Sequence, residues 1–261
     1  MALKARRVKA AFTEPPIALS EAAGIRYLHF GSEWIQGAMR IRHPDAPVLE
    51  YVRRMCAWLL LMEPPARVLQ LGLGAGALTR WALARLAGSD LVVVERSAAV
   101  IAAAHVHFAL PREHPRLEVV QDDAGAYVAR PSSRGGFGLL QVDLYDQDAR
   151  GPVLDTPAFY ASCRRALAEP AIVVVNLFGE HASFAPSRER IAQAFDGRVL
   201  ELPPIAEGNV VLLALAGPPL DVPIEDVLAR GRELRLAHGL AFDAWARMLV
   251  DRYGRGGRLR C

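Results

Sequence analysis

Apolar residues recur along the chain at two spacings, one typical of strands and the other typical of helices. Short apolar runs that end in a glycine or an acid predict buried strands at residues 68–71, 91–94, 117–120, 138–142 and 171–177. Apolar stripes at helical spacing predict helices between them, at residues 77–86, 98–108, 124–128 and 157–167. Strands that alternate with helices in this way indicate an α/β domain with a mostly parallel sheet.

Further elements are predicted on both sides of this central pattern. Residues 24–41 alternate apolar and polar positions around Gly31 and Ser32, which predicts an antiparallel hairpin, and residues 48–62 carry the stripe of a core-facing helix. After the central strands, the pattern predicts a helix at 184–195, an antiparallel strand pair at 199–202 and 209–216, and helices at 226–238 and 242–253. We therefore expect an N-terminal tail and β element over residues 1–45 and one α/β domain over residues 46–261.

Composition limits the function classes. The chain has 261 residues, is 52% hydrophobic, and carries 31 basic against 28 acidic residues, so it can bury a full core and does not imply a nucleic-acid partner. The basic residues cluster at both ends, where we expect solvated tails. The longest apolar run, 57–62, is too short to cross a bilayer. Three cysteines without metal-ligand spacing favour a reducing cytoplasm, no disulfide framework and no metal site (Cys56, Cys163, Cys261).

The stretch from residue 67 to 96 carries the clearest ligand signal. Gly72, Gly74 and Gly76 follow the first central strand, where the chain must turn sharply and bring backbone amides against a ligand. Glu95 ends the next strand about 20 residues later, the position at which nucleotide-binding folds hydrogen-bond a ribose diol. The spacing GLGAG, with no Walker-type lysine after it, favours an adenosine-derived sulfonium, S-adenosylmethionine or its decarboxylated form. The alternative is a plain tight turn with a solvated Glu95.

Acidic residues also follow the next two strands. Asp122 and Asp123 come after the third strand, and Asp143 and Asp146 after the fourth, so all should meet at the edge of the sheet where parallel strands end. Two close carboxylates in an apolar crevice attract a cation such as a polyamine. We predict Asp143 as general base, Asp146 as the anchor of the amine, and Tyr145 as an added hydroxyl or ring face. Asp123 is predicted to bind the adenine amino group; as alternatives, Asp122 and Asp123 cap a helix, and Asp143 and Asp146 form a solvated turn.

Several segments together resemble the spermidine synthase family, the polyamine aminopropyltransferases. These segments are WIQGAMRI, LQLGLGAGALTRW, VVVERSAAVIAAA, LEVVQDDAGAYV and QVDLYDQDARGPVLDTPAFY. The resemblance covers most of the chain, from the hairpin at residue 24 to the strand at residue 209. It implies the Rossmann-like fold of S-adenosylmethionine-dependent methyltransferases, with a seven-stranded, mostly parallel sheet and helices on both faces, and a homodimer without metal.

The resemblance also implies roles for single residues. Asp143 falls on the catalytic acid, Asp146 on the amine-binding acid, Glu95 on the ribose ligand, Asp123 on the adenine ligand, and Gln36 on a glutamine that contacts the nucleoside cofactor. The implied reaction moves an aminopropyl group from decarboxylated S-adenosylmethionine to a diamine such as putrescine, in polyamine biosynthesis.

The chain departs from the family pattern at defined positions. Ala75 stands where the family's glycine loop carries an aspartate, and Gln70 stands where methyltransferases more often carry an acid. Arg53 and Arg54 lie in the helix near the amine channel, where cations would repel a cationic substrate unless they point to solvent. The segment DLYDQDARGP is longer than usual. Two further hypotheses therefore remain beside aminopropyl transfer: an S-adenosylmethionine-dependent methyltransferase with a small substrate, and a nucleoside-binding protein that has lost its chemistry.

Overall fold

The N-terminal part of the protein forms a small antiparallel sheet. The computed structural model describes residues 12–145 and 153–261. Its first three strands are β1 (Ala18–Ala22), β2 (Ile25–His29) and β3 (Gly37–Arg40), paired in the order β1-β2-β3. The predicted hairpin corresponds to β2 and β3. All five side chains of β1 are exposed, so the strand has no apolar alternation by which it could be predicted.

A seven-stranded sheet forms the centre of the molecule. Its strands are β4 (Arg67–Leu71), β5 (Asp90–Glu95), β6 (Leu117–Gln121), β7 (Phe137–Val142), β8 (Leu167–Phe178), β9 (Val199–Glu201) and β10 (Asn209–Ala216). They lie in the order β6-β5-β4-β7-β8-β10-β9. The first five are parallel, and β10 runs antiparallel to both β8 and β9. The predicted fold class and the antiparallel edge pair are confirmed.

Helices cover both faces of this sheet. They are α1 (Glu50–Arg54), α2 (Ala77–Arg85), α3 (Ala98–His107), α4 (Ala124–Ala129), α5 (Pro157–Ala166), α6 (Phe184–Ala194), α7 (Ile224–His238) and α8 (Phe242–Tyr253). Alternating strand residues serve the two faces: Val68 packs in one buried cluster with Trp81 and Trp245, whereas Leu69 packs in another with Phe159. A sheet buried on both faces leaves its strand ends as the place for polar groups.

The predicted helix over residues 48–62 was wrong in its length. Helix α1 ends at Arg54, and a 3₁₀ turn at Ala57–Leu60 follows. Every residue from Met55 to Leu60 is at most 3% exposed. A straight helix packed on one side buries only one stripe, so a segment that is apolar all round is accommodated by a bend that surrounds it with protein.

The basic C-terminus is structured, so the prediction of a solvated tail was wrong there. Residues at this end form a three-stranded antiparallel sheet of β11 (Asp221–Pro223), β12 (Gly254–Arg255) and β13 (Arg258–Arg260). The Asp221 carboxylate accepts hydrogen bonds from Arg258 Nε at 2.5 Å and Arg260 Nε at 3.2 Å. Tertiary pairing with an acid distant in sequence holds these arginines in place. The basic N-terminal residues lie outside the described ranges.

No helix within residues 12–145 or 153–261 combines the length and the apolar character needed to cross a bilayer.

Candidate active site

A glycine turn joins β4 to α2 and lies against the end of β7. Gly72 has a φ of +93°, and a Cβ at this position would lie 2.2 Å from the carbonyl oxygen of Asp143. The Gly72 amide also donates to Val94 O at 2.9 Å. Only glycine tolerates this conformation and this close approach. The turn therefore brings the ends of three neighbouring strands, β4, β5 and β7, against one another.

A small hollow opens above this turn and collects residues from distant parts of the sequence. It is lined by the N-terminal sheet, helices α1 and α2, the glycine turn and the end of β7. Four of the predicted site residues line it, together with others that the sequence did not single out; the lining includes Gln36, Tyr51, Gly72, Gly74, Thr79 and Asp143. Gly76 directly precedes α2, with φ at +69°. The structure thus brings together Gln36, Gly72, Gly74 and Asp143 at this hollow. The other described residues predicted for the site do not line it: Gly76, Glu95, Asp122, Asp123 and Tyr145.

Asp143 is partly buried and held by two side chains. Its Oδ1 accepts a hydrogen bond from Asn176 Nδ2 at 2.9 Å, and the Tyr51 hydroxyl donates a second one. Burial raises the pKa of the Asp143 carboxyl above its usual value, and the two hydrogen bonds oppose this rise because they favour the charged form. A desolvated carboxylate with a raised pKa is a better proton acceptor than a solvated one.

Two tyrosines and an asparagine build the environment of this carboxylate. The Tyr145 hydroxyl donates to Asn176 O at 3.0 Å. Tyr145 therefore lies beside β8, the strand that carries the Asn176 side chain bound to Asp143. Burial and the nearby Asp143 charge raise the pKa values of both Tyr51 and Tyr145, so both remain neutral donors at pH 7. Tyr145 thus lies near Asp143. Asp146, the predicted anchor of the amine, lies outside the described residues.

The sequence pattern does not single out Tyr51 or Asn176 as functional residues. Tyr51 belongs to the apolar stripe of the predicted helix, which predicts a place in the core. Asn176 lies between Val175 and Leu177 in strand β8, where the neighbouring residues are buried and apolar. An amide side chain in a strand buried on both faces needs a polar partner, and this was the one signal that the sequence offered.

Glu95 ends β5 beside the glycine turn, and its carboxylate is held by backbone donors. Oε2 accepts from the Leu73 amide at 3.0 Å, and Oε1 accepts from the Ser97 amide at 2.9 Å. Burial raises the pKa of the Glu95 carboxyl, and these amides oppose the rise. A carboxylate offers about four lone-pair sites, so Glu95 retains acceptor capacity for hydroxyl groups of a ligand.

Asp122 and Asp123 follow β6, the strand next to β5. Asp123 Oδ1 accepts from the Ala126 amide at 2.9 Å and caps α4, which is the alternative role considered for it. Asp122 Oδ1 accepts from the Asp123 amide at 2.8 Å, and its other oxygen pairs with Arg130. The carboxylate of Asp122 is thus occupied by local contacts, whereas the second oxygen of Asp123 accepts no hydrogen bond within residues 12–145 and 153–261.

Gln70 takes part in a buried polar network beneath the hollow. Thr79 Oγ1 donates to Gln70 Oε1 at 2.7 Å, Gln70 Nε2 donates to Gln141 Oε1 at 2.9 Å, and Gln141 Nε2 donates to Met55 O at 3.1 Å. The Gln70 amide, at the position where methyltransferases more often carry an acid, is therefore hydrogen-bonded through both its oxygen and its nitrogen. The other departure, Ala75, is 2% exposed.

Arg53 and Arg54 are directed away from Asp143. Arg53 Nε donates to Pro47 O at 2.9 Å, and Arg54 Nε donates to Glu50 Oε1 at 3.2 Å. Neither arginine lines the hollow, although Tyr51 and Val52 do. The expected repulsion of a cationic substrate is weakened by this orientation and by pairing with Glu50.

Within residues 12–145 and 153–261, no group of three or more His, Cys, Asp or Glu side chains is arranged to hold a metal ion.

Comparisons with known proteins identify the family. No family model matches the chain. It is 34% identical over 229 residues to a polyamine aminopropyltransferase of Neisseria meningitidis serogroup A, covering 87% of this chain and 86% of the relative. It is 35% identical over 245 residues to a polyamine aminopropyltransferase of Chromobacterium violaceum, covering 94% and 93%. The chain belongs to the polyamine aminopropyltransferase family.

Solved structures agree with this family in fold. A probable spermidine synthase from Corynebacterium glutamicum superposes with a TM-score of 0.67 at 20% identity, covering 92% of this chain and 91% of that one. A spermidine synthase in complex with the transition-state analogue AdoDATO gives 0.59 at 21% identity, covering 77% and 74%. Human methyltransferase-like protein 13 in complex with SAH gives 0.63 at 18% identity, covering 74% and 93%. This aminopropyltransferase family member therefore has the predicted methyltransferase-like fold.

Proposed function

We propose that this protein transfers an aminopropyl group from decarboxylated S-adenosylmethionine to a diamine such as putrescine, and releases methylthioadenosine. The observation that carries the proposal is the position of Asp143. The backbone of Asp143 lies against the glycine turn, and its carboxylate is desolvated and is held by Asn176 and Tyr51. Family membership supports the reaction class, and this geometry supports the assignment of the base.

The chemistry needs such a base. An alkylamine has a pKa of about 10, so it is protonated at pH 7 and has no free lone pair. Asp143 accepts one proton from the ammonium group. The amine nitrogen then attacks the methylene carbon bonded to the sulfonium, the carbon–sulfur bond breaks, and its electron pair returns to sulfur as a neutral thioether. General-base catalysis of this kind contributes about 10²- to 10⁴-fold.

The nucleoside is assigned to the residues around the glycine turn. Glu95 has acceptor capacity for the ribose hydroxyls. The Asp123 oxygen that accepts no hydrogen bond from the described residues suits the adenine amino group. Gln36 and the glycines Gly72 and Gly74 line the hollow in which the sulfonium would lie. We retain Asp146 as the anchor of the amine and Tyr145 as an added contact. Asp122 is assigned a supporting role, because its carboxylate pairs with Arg130.

We also propose a homodimer located in the cytoplasm, and a division of the chain at residues 45 and 46 into an N-terminal β element and a catalytic domain. The choice of the decarboxylated donor belongs to the same proposal. It is checked by calorimetry with both forms of the donor: tighter binding of the decarboxylated form supports it, and equal or tighter binding of S-adenosylmethionine favours methyl transfer.

The decisive experiment removes the charged carboxylate of Asp143 and keeps the size and shape of the side chain. Asp143→Asn should lower turnover of decarboxylated S-adenosylmethionine with putrescine by about 10²- to 10⁴-fold, while methylthioadenosine still binds. Asp90→Asn is the matched control, because Asp90 is exposed at the opposite end of the same sheet. Turnover by Asp143→Asn at the level of Asp90→Asn would refute the assignment. No turnover of any amine by the unmodified protein would support the catalytically idle alternative.

A further inference from the structure

A segment that precedes the N-terminal sheet lies beside the end of β5 that carries Glu95. This segment, residues 12–17, leads directly into β1, and we call it the strap. Pro16 lies against Gly31, where an added Cβ would be 2.4 Å from Pro16 Cγ. Ile17 packs against a buried cluster that contains Leu73 of the glycine turn. The strap is therefore anchored both on the N-terminal sheet and on the central part of the molecule.

The acid of the strap, Glu14, binds the beginning of α3. The Ser97 hydroxyl donates to Glu14 Oε2, and the Ala98 amide donates to Glu14 Oε1 at 3.1 Å. The hydrogen bond from Ser97 lowers the pKa of the Glu14 carboxyl, and those from the backbone lower it further. Glu14 is therefore ionised at pH 7, and its negative charge lies at the end of the helix that attracts anions.

The residue that binds Glu14 also holds Glu95. The Ser97 amide donates to Glu95 Oε1 at 2.9 Å, while the Ser97 hydroxyl donates to Glu14. The Leu73 amide donates to the other Glu95 oxygen at 3.0 Å, and Leu73 belongs to the cluster against which Ile17 packs. The strap thus contacts both residues whose side-chain or backbone neighbours fix the Glu95 carboxylate.

A third contact joins the strap to the residue between Glu95 and Ser97. Phe12 lies over the guanidinium of Arg96, with 4.1 Å between the guanidinium carbon and the ring centroid. Together with the hydrogen bonds of Glu14, this contact means that the strap touches each of residues 96–98. The three residues that follow Glu95 are therefore held from one side by the strap.

Glu14 and Glu95 also interact as charges. Burial raises the pKa of the Glu95 carboxyl, backbone amides oppose this rise, and the negative charge of Glu14 adds to it. Removal of Glu14 would therefore lower the pKa of Glu95 and leave Glu95 ionised at pH 7. A loss of ligand affinity on removal of Glu14 would then come from the position of Glu95 and not from its protonation.

We propose that Glu14 is a positioning residue for the nucleoside: it fixes the beginning of α3, and with it the Ser97 amide that orients Glu95 toward the ribose hydroxyls. This inference rests on the proposed function, because it takes Glu95 as the ribose ligand. Glu14 acts through Ser97 and makes no contact with the nucleoside itself.

The first test is Glu14→Ala in the full-length protein. Methylthioadenosine affinity, measured by calorimetry, should fall about fivefold, and KM for the donor should rise by the same factor, with kcat at saturating donor unchanged. Helix α3 should remain folded, because Ser97 Oγ still accepts from the Val100 amide at 3.0 Å, and the unfolding temperature checks this.

Glu21→Ala is the matched control for this variant. Glu21 is also an exposed glutamate of the N-terminal part, but its carboxylate accepts from Arg26 Nε at 2.6 Å. Its affinity for methylthioadenosine should equal that of the unmodified protein. An affinity of Glu14→Ala equal to that of Glu21→Ala, or a fall in kcat in place of the rise in KM, overturns the proposal.

A double-mutant cycle with Glu95→Gln shows whether Glu14 acts through Glu95. If it does, the affinity of the double variant Glu14→Ala/Glu95→Gln should lie within about twofold of that of Glu95→Gln alone. A further fivefold loss in the double variant would mean that Glu14 acts elsewhere, and it overturns the proposal. Unchanged affinity in Glu95→Gln itself would instead refute the ribose assignment, so the two failures are distinguishable.

Discussion

The two halves of the candidate site, of which only the half with Asp143 lines the hollow, hold their carboxylates in different ways. In the half assigned to the nucleoside, Glu95 and Asp123 accept hydrogen bonds from backbone amides. In the half assigned to the acceptor amine, Asp143 is held by the side chains of Asn176 and Tyr51. Burial raises the pKa of both Glu95 and Asp143. The two carboxyl groups differ in the hydrogen-bond donors that oppose this rise in pKa.

This difference separates binding from proton transfer. Backbone donors are fixed by the fold, so the acids that they hold are suited to recognise the nucleoside, which does not change during the reaction. Side-chain donors set how strongly Asp143 holds a proton, and they can be altered without moving the backbone. Substitutions in the first half should therefore change affinity, whereas those in the second half should change rate and its dependence on pH.

The largest effect is expected where the halves meet. Gly72→Ala would place a methyl group 2.2 Å from Asp143 O and force an alanine to a φ of +93°. The strand ends must then separate, and we expect methylthioadenosine affinity to fall more than about 100-fold, about 3 kcal/mol or more. Calorimetry measures it, and Gly88→Ala is the control, since a Cβ there meets nothing within 4 Å. A loss of less than tenfold would contradict the role of this turn.

Glu95→Gln tests the half held by the backbone. An amide NH₂ replaces one carboxylate oxygen and then faces an N–H donor, so binding of the ribose hydroxyls should be lost with it. Methylthioadenosine affinity should fall about 30-fold, about 2 kcal/mol, with kcat at saturating donor within about threefold. Glu118→Gln, exposed on β6, is the control. A fall in kcat with unchanged affinity would reverse the division between the halves.

Tyr51→Phe tests the half held by side chains. The Tyr51 hydroxyl favours the ionised form of Asp143, so its removal raises the pKa of this carboxyl further. The acid limb of the pH profile of kcat/KM should therefore move to higher pH, and kcat/KM for the diamine should fall about tenfold, about 1.4 kcal/mol. Tyr27→Phe, in the N-terminal sheet, is the control. An acid limb that does not move would mean that Asp143 is not the group titrated.

Asp123→Asn should have the smallest effect. Asparagine caps helices as well as aspartate does, so the unfolding temperature should change little. The second oxygen becomes an NH₂ donor that cannot accept from the adenine amino group, and methylthioadenosine affinity should fall about fivefold, about 1 kcal/mol. Asp122→Asn provides the contrast, since its carboxylate pairs with Arg130. Equal methylthioadenosine affinities of the unmodified protein and Asp123→Asn would mean that Asp123 caps α4 and does not bind the adenine.

Local patterns were sufficient for the seven strands of the central sheet and for most helices, because apolar spacing directly records which faces are buried. These patterns failed where the buried side chains do not recur at the spacing of a helix or a strand. β1 has no buried side chain, and Met55–Leu60 is buried on every side. The C-terminal arginines looked like a solvated tail because their partner, Asp221, lies more than thirty residues away in the sequence.

The sequence by itself determined the α/β class, the glycine turn, and the acids that follow successive strands, because each depends on residues close together in the chain. Only the tertiary structure decided that Tyr51 from α1 and Asn176 from β8 both bond to Asp143, and that Arg53 and Arg54 turn away from it. Contacts between distant segments depend on how helices and strands pack against each other. Their geometry sets the desolvation and the hydrogen bonds that tune a carboxylate.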